Sequence, residues 1–117
     1  MRKDNKLEYI SNIITHRLKI KPIKRIIRVK KIRLWSSSMH RYFRSDWYAD
    51  GIYNPIIPEI QILESPSCRT IDILLHELAH HYDACKFTAE EGLEHGGTFN
   101  MCLNNIKATY KKKFLGR

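Results

Sequence analysis

Apolar residues recur at helical spacing in three stretches of the chain and alternate in others, and this pattern sets the expected order of elements. Leu7, Ile10, Ile13, Ile14 and Leu18 share one face of a helix predicted over residues 5–18, with Asn5 and Glu8 placed as a capping box and Pro22 stopping it. Residues 23–35 read two ways: Ile23, Ile26, Ile27 and Leu34 could line a helix, while Ile27, Val29, Ile32 and Leu34 alternate if one extra residue is inserted at Lys30 and Lys31. The density of Ile and Val favours a strand with a bulge. A second strand is predicted over residues 40–47, after a turn at Ser36, Ser37 and Ser38. Turn and proline signals fill residues 50–58, and Ile60, Ile62 and Leu63 mark a third, short strand.

The next helix is predicted to start from a Ser65 or Ser67 cap, with Pro66 in its first turn, and to run to about residue 85 with Ile71, Leu74, Leu75, Leu78 and Tyr82 as its apolar face. A polar, acid-rich connection follows. From Thr98 the series Phe99, Cys102, Leu103, Ile106, Tyr110 and Phe114 predicts a last helix, whose Lys111, Lys112 and Lys113 complement its dipole. The expectation is a single α+β domain over residues 1–117, with an N-terminal helix, a small sheet of about three strands and two further helices.

The second helix carries His76-Glu77-Leu78-Ala79-His80. Histidines four residues apart leave a helix only about 40° apart, so both imidazoles can share one metal ion. Glu77 is offset by about 100°, within reach of a metal-bound water and placed for general-base work. Catalytic zinc takes three protein ligands and keeps one position for water. A ligand six residues past His80 would mark a metzincin, but that position is Lys86, so this family is excluded. His95, at a Gly-Gly turn that opens the last helix, is the expected third ligand, with Glu90, Glu91 and Glu94 as the carboxylate alternatives. His81 points about 100° away from His80 and is read as a helix-surface residue. His16 and His40 lack a partner pattern and are expected to be exposed. Asp72, one turn before His76, could orient its imidazole, but an acid in a first helical turn already suits the helix dipole, and that reading is preferred.

Charge adds a second theme. The 117 residues carry a net charge of +9, unevenly spread: residues 1–44 hold 14 Lys and Arg against 2 acids, residues 45–106 hold 2 against 10, and the last eleven add 5 basic residues. So polarised a chain suits contact with a phosphate backbone on one side and chemistry on another, and it equally suits a merely solvated surface. Lys24, Arg25, Arg28 and Lys30, along the first predicted strand, are the candidate nucleic-acid-binding residues, expected to give weak, salt-sensitive DNA binding. Trp35, Trp47, Tyr48 and Tyr53 fit core packing better than base stacking. Tyr48, Tyr53 and Tyr82 are candidate oxyanion stabilisers among which spacing does not choose.

Cys68, Cys85 and Cys102 are odd in number, widely spaced and without a CxxC pair, which fits free thiols, best read as small buried apolar residues, in a reducing compartment. The charged N-terminus leads into an amphipathic pattern, and no run approaches a membrane span. A cytoplasmic monomer is expected, with no membrane association.

The order of elements, the Leu74-Leu75-His76-Glu77-Leu78-Ala79-His80 run, the apolar strand at residues 60–63 and His95-Gly96-Gly97-Thr98-Phe99 together resemble the SprT-like family of zinc metallopeptidases. The similarity spans roughly residues 5–114, and its specific part is the motif region. It implies a minimal zincin-like fold, zinc on His76, His80 and His95 with Glu77 as catalyst, and, by analogy with Spartan-type members, substrates among proteins crosslinked to DNA. Many bacterial relatives add a C-terminal zinc ribbon with paired cysteines, which this sequence does not contain, so any nucleic-acid contact would fall to the domain itself.

Two functions from different classes follow. One is a zinc-dependent metalloendopeptidase acting on a protein substrate, in which Glu77 takes a proton from the attacking water and passes it to the leaving amine. The other is a basic nucleic-acid-binding module whose zinc is structural or whose activity has lapsed. Glu77 argues for the first, because a closed structural site has no use for a base.

Overall fold

A computed structural model describes residues 2–36, 41–45, 50–87 and 97–116. The elements run β1 (Arg2–Lys3), α1 (Asn5–Arg17), β2 (Arg25–Val29), β3 (Ile32–Ser36), β4 (Arg41–Ser45), β5 (Gly51–Asn54), β6 (Glu59–Leu63), α2 (Thr70–Phe87) and α3 (Gly97–Phe114). The class is α+β, as expected, but six described strands replace about three. Four of them form a sheet in the order β1-β2-β6-β5, with β2 and β6 parallel at its centre and antiparallel strands at both edges; β3 and β4 form a separate antiparallel pair.

The central strands β2 and β6 carry apolar residues on both faces, because a core lies on each side of them. Ile26, Ile60 and Ile62 turn towards the helices and are buried with Leu74, Leu78 and Ile106. Their neighbours Ile27 and Val29 point the other way and join Ile32 in a second, smaller core, with Ile52 and Leu63 against it. Period-2 alternation thus feeds two cores from one pair of strands. This explains why residues 23–35 are not one bulged strand. After Val29 the chain bends at Lys30 and Lys31, both exposed, and Ile32 starts a strand that pairs with β4 instead of continuing beside β6.

β5 is the element that local sequence conceals, since Asp50-Gly51 and the flanking prolines read as turn. Here Gly51 meets a demand of packing. A Cβ at this position would collide with the Ile73 side chain of α2 and stand 3.2 Å from the Gln61 carbonyl oxygen, so only glycine lets the strand lie this close to the helix.

The helix ends differ from expectation in instructive ways. Asp4 caps α1, its Oδ1 accepting from the Leu7 N–H at 3.0 Å. Glu8, expected in a capping box with Asn5, instead accepts from the Ile26 N–H at 3.1 Å and pairs with Lys3 at 3.4 Å, tying helix to sheet. α1 stops before Pro22: Lys19 adopts a left-handed conformation (φ 57°), and the Ile20 N–H closes on the Thr15 carbonyl at 3.0 Å. α2 begins at Thr70, so neither Ser65 nor Ser67 caps it and Pro66 precedes it; Ser67 donates instead to Asp50 at 2.6 Å, holding that carboxyl below its ordinary range. The last helix begins at Gly97, within a residue of expectation. The predicted 40–47 strand is β4 over Arg41–Ser45, its remaining positions lying outside the described residues, as do Ser37 and Ser38 of the predicted turn.

Among the described residues no helix is long and apolar enough to cross a membrane. Of the three free thiols only Cys102 is buried; Cys68 and Cys85 are exposed.

Two substitutions test these backbone readings by urea denaturation. Gly51→Ala should destabilise the fold by about 1–3 kcal/mol through overpacking against Ile73. Lys19→Gly should stabilise it by up to about 1 kcal/mol by relieving the left-handed strain.

Candidate metal centre

α2 is nearly surrounded, and its faces divide by helical period. Leu74, Leu78 and Ala79 are fully buried in the main core, where each leucine contributes about 1.5–3 kcal/mol. Ile73, Glu77 and His81 form an i, i+4, i+8 stripe beside β5, so close that a Cβ placed on Gly51 would fall 3.5 Å from the Glu77 Cγ. His76, His80 and Asp83 occupy the neighbouring stripe, towards α3.

On that stripe the two imidazoles stand with centroids 5.1 Å apart, and Phe99, from the first turn of α3, packs over both at 5.0 and 4.5 Å. One ligand atom each from His76, Glu77 and His80 lies within 4.8 Å of the others, with both histidines half-buried and Glu77 buried. Two neutral nitrogens and a carboxylate, all converging, form a donor set that fits a zinc-like ion. The structure thus brings together three of the four residues singled out for the centre. His95 lies outside the described residues, as do Glu90, Glu91 and Glu94.

His81 overturns its reading as a surface residue. It is 1% exposed, with Nε2 2.6 Å from the Lys21 carbonyl oxygen and Nδ1 2.8 Å from the Tyr53 hydroxyl. A carbonyl only accepts, so Nε2 carries the proton and Nδ1 accepts from Tyr53. Burial holds the imidazole below its ordinary range and pushes the Tyr53 phenol well above its own. One neutral side chain therefore joins α2, β5 and the connection after α1, and it commits Tyr53 to structure. Trp47 and Tyr48 lie outside the described residues.

Asp83 is a further residue that pattern reading passes over. It is 2% exposed, and its Oδ1 has no hydrogen-bond partner among the described residues. The Cys102 thiol on α3 is pushed up to about 11, by burial first and then by the charge of Asp83. The 76, 80, 83 spacing is the available signal, since i, i+4, i+7 positions share a face. Asp72 sits in the first turn of α2, exposed and 3.8 Å from Arg69, in keeping with a dipole role. His16 is exposed, as expected; His40 lies outside the described residues.

The four basic candidates along β2 are not equivalent. Arg28 pairs with Asp4 at 3.3 Å and donates to the carbonyls of Leu63 and Glu64, both at 3.1 Å, which leaves its side chain 11% exposed. Arg25 pairs with Glu59, a buried carboxylate that also accepts from Gln61 at 3.0 Å. Lys24 and Lys30 are exposed. Two of the four guanidinium or ammonium heads thus serve the sheet.

Tyr53→Phe should cost about 1–3 kcal/mol in urea denaturation, because only the weak Cys85 thiol, 3.8 Å away, then remains to donate to the buried His81 Nδ1. His81 also gives a pH signature. Its folded pKa lies below the unfolded value near 6.5, so the unfolded chain binds that proton more readily. Stability should be intact above about pH 6.5 and fall as the pH drops below it, and the decline should be smaller in His81→Gln. Comparison of the chain with family models, with curated proteins and with solved structures finds no match.

Proposed function

We propose that the protein is a zinc-dependent metalloendopeptidase built on a minimal zincin-like domain. His76, His80 and His95 would hold the ion, and Glu77 would act as general base. The observation that carries this reading is the convergence of two imidazoles and a buried carboxylate from one helix, with Glu77 beside a sheet edge. The resemblance to the SprT-like family supports the same assignment, and with the basic charge balance it supports DNA-associated proteins as the substrate class.

When bound, zinc supplies Lewis-acid polarisation of a peptide carbonyl and acidifies a coordinated water. The chain's own contribution is placement. His76 and His80 are held in fixed orientation by the Phe99 ring and the helix backbone. Glu77, on the adjoining stripe, accepts the proton of the attacking water and returns it to the leaving amine. β5 stands at the edge of the sheet, so an extended peptide can add to it as a further strand and bring a carbonyl to the centre.

Metal analysis paired with proteolysis of basic DNA-binding proteins, with and without DNA, tests the reading. Zinc should approach one per chain and be lost in His76→Ala, His80→Ala and His95→Ala. Retention of zinc by His95→Ala, with loss on substituting Glu90, Glu91 or Glu94, would move the third ligand to a carboxylate. Glu77→Gln should keep zinc and fold while hydrolysis drops at least about 100-fold; undiminished hydrolysis in that variant would end the peptidase assignment.

A further inference from the structure

The middle and C-terminal end of α1 and the last turn of α3 meet at an open groove of about 540 Å³ lined by Tyr9, Asn12, Ile13, His16, Arg17 and Lys113. Tyr9 is 62% exposed, a large aromatic surface left in water beside the half-buried Ile13. The rim is cationic: Arg17 and Lys113 are exposed, and neither has an ion-pair partner among the described residues. No acid competes on these two helices. α3 contains none, and Glu8, the sole acid of α1, is turned onto the Ile26 N–H and Lys3. Lys111 and Lys112 extend the positive surface along α3.

We propose that this groove binds single-stranded nucleic acid, with a base stacked on Tyr9 and phosphates on Arg17 and Lys113. An exposed aromatic ring flanked by one cation from its own helix and one from a second helix supplies both halves of such recognition, a π-face that accepts any base and charges that follow the backbone. A duplex keeps its bases stacked and offers Tyr9 nothing. The site differs from the β2 residues that charge along the sequence singles out, because Arg25 and Arg28 are already paired within the fold. It also stands apart from the metal centre. Phe99 and Lys113 lie fourteen residues apart on α3, about 21 Å along its axis. The proposal therefore does not rest on the peptidase reading, but it supplies that reading with an anchor that leaves the metal centre clear.

Anisotropy of a fluorescein-labelled oligothymidylate, titrated with the full chain from about 50 to about 200 mM salt, tests it. Tyr9→Ala should weaken binding by roughly tenfold. Arg17→Gln combined with Lys113→Gln should lower the log–log salt slope by about 1.4, at about 0.7 for each lost phosphate contact. Lys24→Gln combined with Lys30→Gln should leave Tyr9-dependent binding in place, and a chelator should change nothing. All of these side chains are exposed, so far-UV circular dichroism should match the wild type. Absence of binding at low salt would overturn the proposal. So would unchanged affinity in Tyr9→Ala, equal affinity for a matched duplex, displacement by polyglutamate as effective as by unlabelled oligothymidylate, or loss of binding on chelation.

Discussion

A helix that carries polar chemistry and is also buried on most sides is stable only where nearly all of its polar groups meet partners, and α2 is such a helix. Ile73, Leu74, Leu75, Leu78 and Ala79 are withdrawn from water together with Glu77, His81 and Asp83. Leaving a buried polar group unpaired costs about 1–3 kcal/mol, comparable to what one buried leucine contributes. The surrounding elements answer that demand. Tyr53 and Lys21 satisfy both ring nitrogens of His81, and the Tyr53 bond ties β5 to α2. Gly51 then lets β5 close against Ile73 and Glu77. Among the described residues the unpartnered Oδ1 of Asp83, on the same stripe as His76 and His80, is the exception on this helix, and it lies on the face given over to the proposed centre.

Two stripes of one helix divide the work. The stripe of Ile73, Glu77 and His81 fixes α2 against the sheet edge, while His76 and His80 look towards α3 and lie under Phe99. The proposed general base thus sits at the boundary between the sheet edge, where a peptide could dock, and the ligand face. Its carboxylate needs no long loop to reach either side.

Charge follows a similar division of labour. Arginines of β2 neutralise buried or capping acids: Arg25 answers Glu59, and Arg28 answers Asp4 while covering two carbonyls at the end of β6. Among the described residues the cations on α1 and α3 have no acid partner, and Glu8 is drawn inward rather than set among them. The same residue type is structural in one place and available to a partner in another, depending on whether an acid lies across the strand.

Local pattern alone determined the helices and the convergence of the motif. The 3.6-residue period places Leu7, Ile10 and Ile14 on one face of α1, Phe99, Cys102 and Ile106 on one face of α3, and His76 with His80 on one face of α2, whatever surrounds them. Those relations need only a helix. β5 could not be read this way, because its residues form a strand only by pairing with β6 and packing under α2, and Gly51 in isolation signals a turn. The break between β2 and β3 likewise depends on two cores competing for alternate side chains. The burial of His81 required Tyr53 and Lys21, which lie 28 and 60 residues away in the chain. Helix faces are set by bonds between near neighbours, whereas strand pairing and buried polar contacts between elements are set by residues that only the folded chain brings together.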